Sequence, residues 1–374
     1  MRRVLFDEDD DRLLRFTTPT SRVGKIADPY EQDILRAMEG DRARIVIPRE
    51  YDIPTKPFKI YCAHGVEKRN QLKLVDYNRD GGFAIALQCS VWSLASGKAT
   101  KLVSCDARVT AVAWCPKHPS WLGFGTKKGF VGVIDTATST MICKFQYQPE
   151  IIVPQLCWFE ERLALAIGDE LYVLKTGTKS KFYRFRGLKL SNTIITSMCW
   201  TRDGSGLSIA SADKQLLFLD RSGYRVRARL ATSSVIKAMA WCPWHSNMLV
   251  TGDDDGLLRI YKYDNLALEI ETGEPVSELV FNPNARQLCT AHYSLEGTPL
   301  RVWQFCEGSF KIITTLHSMT EGTALYMTLA PDGNTVAVVS CSENLSLWQV
   351  FEKTQIDQKI IATPTPTFGL KSVR

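Results

Sequence analysis

One repeated unit constrains the fold of this chain more than any other feature. Its cleanest copy runs from Ile236 to Tyr261 (IKAMAWCPWHSNMLVTGDDDGLLRIY), where an apolar run ends in Trp241 and a Cys-Pro turn follows. A second apolar run then enters an Asp/Gly-rich turn, and a third run closes on Tyr261. Short apolar runs separated by such turns are typical of β-strands. The unit therefore predicts three strands of a four-stranded blade.

The same order recurs elsewhere in the chain. The further copies are Val109–Ile134, Ile195–Leu219, Val276–Phe305, Ala324–Val350 and the more degenerate Leu74–Leu94 and Val153–Leu174. The residues in the anchor position are Tyr77, Trp114, Trp158, Trp200, Trp241, Phe281 and Leu329. They lie roughly 40 residues apart, which is the period of a WD-repeat blade. Seven copies predict an all-β fold, a closed seven-bladed WD-repeat β-propeller.

The repeats divide the chain into three parts, namely an N-terminal extension (1–56), the propeller (57–355) and a C-terminal tail (356–374). The extension begins with the acidic run Asp7–Asp11, and the tail contains Thr363–Thr367 (TPTPT), so we expect both to be mostly disordered. Phe58–Tyr61 alternates like a strand. We expect it to become the outer strand of the seventh blade, because an unclosed ring would leave two bare edges.

Composition argues against several other functions. The net charge of +6 is not concentrated in one basic block, so nucleic-acid binding is not implied. The 11 cysteines form no C-x-x-C pair and the 5 histidines are scattered, so we expect neither a metal nor a cofactor. No nucleophile–base pair or phosphate loop has a recognisable spacing, which argues against an enzyme. Without a long apolar run or a signal peptide, we expect no membrane association and a location in the cytoplasm and nucleus.

Two conspicuous features have structural explanations. The anchor tryptophans are expected to pack between blades. The acidic cluster Asp253, Asp254 and Asp255 resembles a calcium loop only superficially, because it lacks the distal bidentate Glu, and it is interpreted as turn chemistry.

Several motifs resemble the Fizzy family, the WD-repeat co-activators of the anaphase-promoting complex. IKAMAWCPWHSN (Ile236–Asn247) is similar to the family's VKAVAWCPWQSN, and LVDY (Leu74–Tyr77) to its LVDW. APDG (Ala330–Gly333) and LSLW (Leu345–Trp348) resemble the SPDG and LRLW of the family's last blade. The first of these matches is fairly specific, whereas most of the others are shared with WD repeats generally.

The two ends of the chain also bear on this resemblance. Family members end in Ile-Arg, which docks in a tetratricopeptide-repeat groove of the ligase, and Val373-Arg374 resembles that tail. The family's DRYIPxR box is matched poorly. DRLLRF, which begins at Asp11 and Arg12, has the leading pair without the proline, and Asp41–Arg49 has all the pieces with extra residues between them. Tyr30–Met38 contains DILR, similar to the family's KILR segment.

The resemblance implies a degron-binding site. Family members bind the destruction box, an extended Arg-x-x-Leu segment found in substrates such as cyclins, between the first and last blades. Asp76 and Glu343 stand at the matching acidic positions, and we expect them to approach each other across that seam; the alternative is that they are ordinary turn or capping acids. Recognition of the Lys-Glu-Asn degron is doubtful, because Thr323 replaces a usual arginine and Ser211–Leu216 lacks paired asparagines.

The sequence thus predicts a substrate-recruiting activator subunit of the anaphase-promoting complex, acting in cell-cycle or meiotic protein degradation and monomeric outside the complex. The alternative is a WD-repeat interaction scaffold that no longer activates the ligase, which the poor N-terminal box favours. The departures from the family pattern indicate a divergent member, similar in that respect to the insect Cortex proteins.

Overall fold

A computed structural model of the protein describes residues 53–69, 72–95, 98–147, 151–176, 182–184, 188–189, 193–220, 225–294, 299–306, 308–317 and 323–351. Side chains are described for these residues except within 176–188. All regular elements in this part of the chain are β-strands. The residues predicted to form the N-terminal box, Tyr30–Met38 and the terminal Val-Arg pair lie outside the described residues.

The strands are numbered in chain order. They are β1 Lys59–Cys62, β2 Val75–Tyr77, β3 Phe83–Leu87, β4 Ser90–Ala95, β5 Lys98–Ser104, β6 Val109–Trp114, β7 Trp121–Thr126, β8 Phe130–Asp135, β9 Thr140–Gln146, β10 Leu156–Phe159, β11 Arg162–Ile167, β12 Glu170–Thr176, β13 Phe182–Arg184, β14 Leu188–Lys189, β15 Ile195–Trp200, β16 Gly206–Ser211, β17 Gln215–Asp220, β18 Val226–Ala231, β19 Ile236–Trp241, β20 Met248–Asp253, β21 Leu257–Lys262, β22 Asn265–Glu271, β23 Val276–Asn282, β24 Gln287–His292, β25 Pro299–Cys306, β26 Ser309–His317, β27 Ala324–Leu329, β28 Thr335–Ser340 and β29 Asn344–Gln349.

These strands form seven antiparallel sheets, one for each predicted repeat. Blades one and two are β2–β5 and β6–β9, and blades four, five and six are β15–β18, β19–β22 and β23–β26. Blade three is β10–β13, with β14 also pairing with β12. Blade seven has the order β27, β28, β29, β1. The predicted seven-bladed β-propeller is confirmed.

Strand β1 closes the ring. It pairs antiparallel with β29, so that Lys59 lies opposite Leu347 and Cys62 opposite Asn344. An additional backbone hydrogen bond runs from the Phe58 N–H to the Leu347 carbonyl at 3.0 Å. The predicted fastening strand is confirmed, one residue later than Phe58–Tyr61. The N-terminal side of the propeller therefore supplies the outer strand of its C-terminal blade, and the inner strands of blades seven and one meet at a seam.

Burial is lowest in the outermost strand of a blade and, in blade five, highest in the second strand rather than the first. Every residue of β6, an innermost strand, is buried, whereas the outermost strand β18 alternates between exposed and half-buried residues. An inner strand packs between neighbouring blades on both faces, so it tolerates a nearly continuous apolar run. An outer strand faces water and keeps the polar alternation of a half-buried strand. This gradient explains why the inner strands were the easiest to recognise in the sequence.

The contacts between blades repeat around the ring. The indole N–H of Trp158 donates to the Ala113 carbonyl of blade two at 2.9 Å, and that of Trp200 donates to the Cys157 carbonyl of blade three at 3.2 Å. The Thr110 and Thr196 hydroxyls both donate at 2.7 Å, to the Val153 and Ile236 carbonyls of the following blades.

Both threonines lie at register shifts of the innermost strand, where a bulge turns a side chain out of the ladder. Trp114 and Trp200 are buried in apolar clusters. These contacts confirm the packing interpretation of the tryptophans.

The acidic cluster of blade five is a turn. Asp253 is fully buried, and its Oδ1 accepts the N–H groups of Asp255 at 3.1 Å and Leu257 at 2.9 Å. Its other oxygen pairs with the Arg259 guanidinium, which also reaches Glu269 at 2.6 Å. The turn interpretation is therefore confirmed, while the buried ion pair with Arg259 was not foreseen.

Candidate functional site

Asp76 lies in β2, the innermost strand of blade one. Its Oδ2 accepts the backbone N–H of Trp114, the last residue of β6, at 2.7 Å. Burial raises the pKa of this carboxyl group, while Lys73 and the N–H groups of Trp114 and Tyr77 act in the opposite direction. Asp76 thus links blades one and two, since removing its carboxylate would leave the Trp114 N–H without this acceptor.

Glu343 lies in the turn between β28 and β29, with a left-handed φ of 63°. Its backbone carbonyl accepts the Ala63 N–H at 2.6 Å, which ties the turn to the segment that follows β1. Its Oε2 accepts from His64 Nδ1 at 3.2 Å, and Oε1 lies 3.9 Å from Lys68 Nζ. The hydrogen bond from His64, the Gly65 N–H and the Lys68 charge lower the pKa of Glu343.

The two predicted acids make separate sets of contacts. Asp76 is one residue from the turn that joins the first and second strands of its blade, whereas Glu343 lies in a turn that joins the second and third. Successive turns of an up-and-down sheet lie at opposite ends of its strands. Among the described residues, no hydrogen bond or ion pair joins the two acids or gives them a shared partner. Their joint role in binding a substrate arginine stays a prediction.

Residues 63–69, the leading segment, cross the seam between blades seven and one. The Tyr326 hydroxyl of β27 lies 2.7 Å from the Glu67 carbonyl and 2.5 Å from the Arg69 carbonyl. The Glu67 carboxylate accepts from Arg108 Nη1, just before β6, at 2.5 Å. The segment is therefore held by blade seven and by the residues that lead into blade two. Sequence motifs give no sign of this arrangement, because the residues that form it lie up to 259 positions apart in the chain.

The rim of the seam carries both signs of charge. The cations are Lys68, Arg69 and Arg108, with the ring of His64 beside them, and the acids are Glu67 and Glu343. The side chains of both acids are partly exposed, 25% for Glu67 and 30% for Glu343. Exposed ion pairs contribute little, about 0–1 kcal/mol each, so an incoming charged peptide could exchange them at small cost.

The channel inside the ring is polar at mid-depth. A cavity of about 190 Å³ is lined by Lys73, Asp76, Glu278 and Tyr326, among others. Burial raises the pKa of Glu278 to about 8, with Lys73 opposing the shift.

At the position expected for the Lys-Glu-Asn degron, Thr323 brings no charge where the family has an arginine. Thr323 is 8% exposed, and its backbone N–H lies 3.2 Å from Cys341 Sγ. In Ser211–Leu216, the Ser211 hydroxyl donates to the Asp213 carboxylate, which is thereby engaged within its own turn. The cation of this stretch is Lys214, whose Nζ donates to the Ser233 carbonyl at 2.9 Å.

Within the described ranges, no group of three or more His, Cys, Asp and Glu side chains is placed to hold a metal ion. No helix in this part of the chain is long and apolar enough to cross a membrane.

The class of protein follows from this geometry. Seven four-stranded blades at the expected period, closed by an N-terminal strand, define a WD-repeat β-propeller. In agreement, the chain is similar to a chain from a solved structure described as "Crystal Structure of Mitotic Checkpoint Complex", with a TM-score of 0.75 and 20% identity over 91% of this chain and 99% of that chain. At this identity, the likeness shows the fold alone.

Similarity to individual proteins defines a narrower class than the propeller fold does. No protein-family model matches the chain. It is 24% identical to Protein FIZZY-RELATED 1 of Arabidopsis thaliana over 97% of this chain and 76% of that protein. It is 26% identical to "Cell division cycle 20.1, cofactor of APC complex" of the same plant, over 82% of this chain and 69% of that protein. The resemblance of the chain to the Fizzy family is confirmed.

Proposed function

We propose that the chain is a substrate-recruiting activator subunit of the anaphase-promoting complex. The observation that carries this proposal is its similarity, over most of the propeller, to a relative whose name describes a cofactor of that complex. The chain itself would bind and position substrates, and the ligase would supply the chemistry. We place it in the cytoplasm and nucleus, in mitotic or meiotic protein degradation.

In this proposal, the destruction box of a substrate lies along the seam. Its arginine displaces His64 and Lys68 from Glu343 and gains a bidentate, charge-assisted pair in place of weak exposed ones. A leucine of the same segment, buried against an apolar part of the seam, would contribute about 1.5–3 kcal/mol. Asp76 supports the blade that forms one wall. These contacts would hold the substrate weakly, and attachment at further points would strengthen its binding.

The first test concerns attachment to the ligase. Subunits of the anaphase-promoting complex should co-purify with the full-length chain and much less with a form lacking Val373-Arg374. Tail-dependent recovery would support the activator. Failure to recover ligase subunits with either form would favour the second candidate, a WD-repeat scaffold that has lost ligase activation, which the poor match at Asp11-Arg12 also favours.

The second test concerns the seam. We expect Glu343→Gln to weaken binding of an Arg-x-x-Leu peptide about tenfold, or about 1.4 kcal/mol, because one charge-assisted hydrogen bond is lost. Binding is measured by fluorescence anisotropy with a labelled cyclin destruction-box peptide. A peptide with alanine in place of arginine should bind both proteins equally.

Glu161→Gln is a matched control. Glu161 is a surface acid that also pairs with a lysine and a histidine, Lys117 and His118, both at 3.0 Å. Its replacement removes the same charge outside the seam and should leave peptide affinity unchanged. Equal losses in the two variants would contradict the assignment of Glu343. Asp76→Asn keeps an oxygen that can accept the Trp114 N–H but removes the charge of Asp76. Weaker peptide binding by this variant would therefore show that the charge is needed, and unchanged binding would show a structural role alone.

A further inference from the structure

A second cavity opens at the face formed by the turns between the first and second strands of each blade. It has a volume of about 470 Å³, within the range of small-ligand sites. Because the turn that holds Glu343 joins second and third strands, this turn-face cavity opens on the opposite face from Glu343. It is therefore separate from the seam proposed to bind destruction boxes.

The turn-face cavity has an excess of positive charge. Lys73, Arg79 and Arg202 line it, and Asp76 is the one acidic residue among its described lining residues. Arg79 and Arg202 are exposed, Lys73 is half-buried, and the described part of the chain offers none of the three an ion-pair partner. The Asp76 carboxylate already accepts the Trp114 N–H. Two exposed arginines and a half-buried lysine around one acidic residue favour an anionic ligand.

The two arginines are carried on fixed turns. Arg79 follows Asn78, whose Oδ1 accepts the Gly82 N–H at 2.6 Å and whose Nδ2 donates to the Pro119 carbonyl at 3.0 Å. Arg202 follows Thr201, whose hydroxyl accepts the Gly206 N–H at 2.8 Å. The backbone under each arginine is thus fixed before a ligand arrives, which lowers the entropic cost of binding.

Acids next to the arginines in sequence do not line the cavity. Asp80 and Asp203 follow Arg79 and Arg202 directly, and neither is among the lining residues. Asp203 accepts the Ser205 N–H at 2.9 Å, and this bond is the main cause that lowers its pKa to about 2. The Asp203 carboxylate is therefore hydrogen-bonded within its own turn.

The walls of the cavity are aromatic. Trp114, Trp158 and Trp200 contribute to the lining, and the indole N–H groups of Trp158 and Trp200 are bonded to carbonyls of the neighbouring blade. These rings offer an apolar surface to the part of a ligand that adjoins its charged group.

We propose that the turn-face cavity binds a phosphate group, with the guanidinium groups of Arg79 in blade one and Arg202 in blade four as donors and Lys73 as a further positive charge. Guanidinium groups match the geometry of phosphate oxygens, which makes arginine pairs suited to this anion. The phosphate could belong to a phosphorylated side chain of another protein or to a free small molecule, and the test separates these two sources.

The test uses the purified full-length chain and two probes. Inorganic pyrophosphate is titrated by calorimetry, and a labelled peptide library with a fixed central phosphoserine is titrated by fluorescence anisotropy, with its unphosphorylated counterpart as reference. Saturable binding of the phosphoserine library above the reference, and tighter than that of pyrophosphate, identifies a phosphorylated protein segment. Tighter binding of pyrophosphate identifies a small phosphate compound.

Variants assign the binding to this cavity. We expect Arg202→Glu and Arg79→Glu each to reduce affinity for the preferred probe at least tenfold. Arg225→Glu, an equal charge change at an exposed arginine of blade four outside the lining, should have no effect. Arg202→Gln tests the loss of the guanidinium without charge reversal and should also weaken binding. Absence of binding by both probes, or equal losses in the Arg202 and Arg225 variants, would overturn the proposal.

Discussion

His292, at the end of β24, is fully buried in a network of hydrogen bonds. The Trp303 indole donates to the Thr290 hydroxyl at 2.8 Å, which lies 2.7 Å from His292 Nε2. His292 Nδ1 lies 3.2 Å from the Glu274 carbonyl and 3.3 Å from Arg301 Nη1, and Arg301 pairs with the Glu274 carboxylate. Burial, followed by the Arg301 charge, lowers the pKa of His292 to about 4.

This histidine predicts a pH dependence of stability. Its pKa rises on unfolding to about 6.5, so between pH 6.5 and pH 4 the unfolded chain binds more protons than the folded one. The free energy of unfolding should therefore fall as pH falls through this window, with a total contribution of about 3 kcal/mol from this residue.

Urea unfolding at several pH values measures this dependence. The His292→Gln variant, which cannot titrate, should lose stability less steeply between pH 6.5 and pH 4 than the natural chain, whatever its absolute stability. Parallel pH profiles for the two proteins would show that His292 is not the cause.

At the scale of single elements, blade five is stabilised by an ion pair that replaces the histidine network of blade six. Arg259 of β21 contacts Asp253 of β20 and Glu269 of β22, so one guanidinium connects three strands. Both members of the Arg259–Asp253 pair are nearly inaccessible to water, 4% and 0% exposed at the side chain. Breaking such a pair is costly because the remaining charge stays buried.

We expect Asp253→Asn to destabilise the propeller by about 3 kcal/mol. The asparagine oxygen can still accept the N–H groups of Asp255 and Leu257, so the change tests the charge rather than the turn. Asp169→Asn is the control, since Asp169 is 33% exposed and pairs with Lys189, which is 62% exposed, for an expected loss of at most about 1 kcal/mol. Thermal unfolding by circular dichroism compares the two, and equal losses would contradict the role of the buried pair.

At the scale of the whole molecule, closure of the ring depends on β1. A chain that begins at Glu67 lacks this strand and would expose the edge of β29, so we expect it to lose its single cooperative unfolding transition. A chain that begins at Ile53 is the control, because it keeps both β1 and Ile53, which packs in the apolar cluster of blades six and seven. Differential scanning calorimetry distinguishes them. An unchanged melting profile for the shorter chain would refute the fastening role.

Much of this architecture could be predicted from local patterns. The number of blades follows from the recurrence of the anchor residue, and the inner strands were recognisable because burial on both faces demands continuous apolar runs. The closing strand was also predictable, since its alternation lies directly before the first repeat and an open ring would leave unpaired edges. These features are encoded within a few neighbouring residues each.

The functional surfaces depended on tertiary structure. Nothing in the local sequence around Tyr326, Glu67 or Arg108 indicates that they meet at one seam, because ring closure alone brings residues 259 positions apart into contact. The same holds for Arg79 and Arg202, which share a cavity although they belong to blades one and four.

Asp76 and Glu343 show the division most clearly. Their residue types and strand positions could be recognised in the sequence. The way the blades are joined decided at which end of its strand each acid lies and which partners it contacts. The direction of each strand sets the face of the propeller on which each turn emerges. The sequence by itself thus determined the repeat, the number of blades and the closing strand, whereas the packing of distant blades against one another decided which charges share a surface.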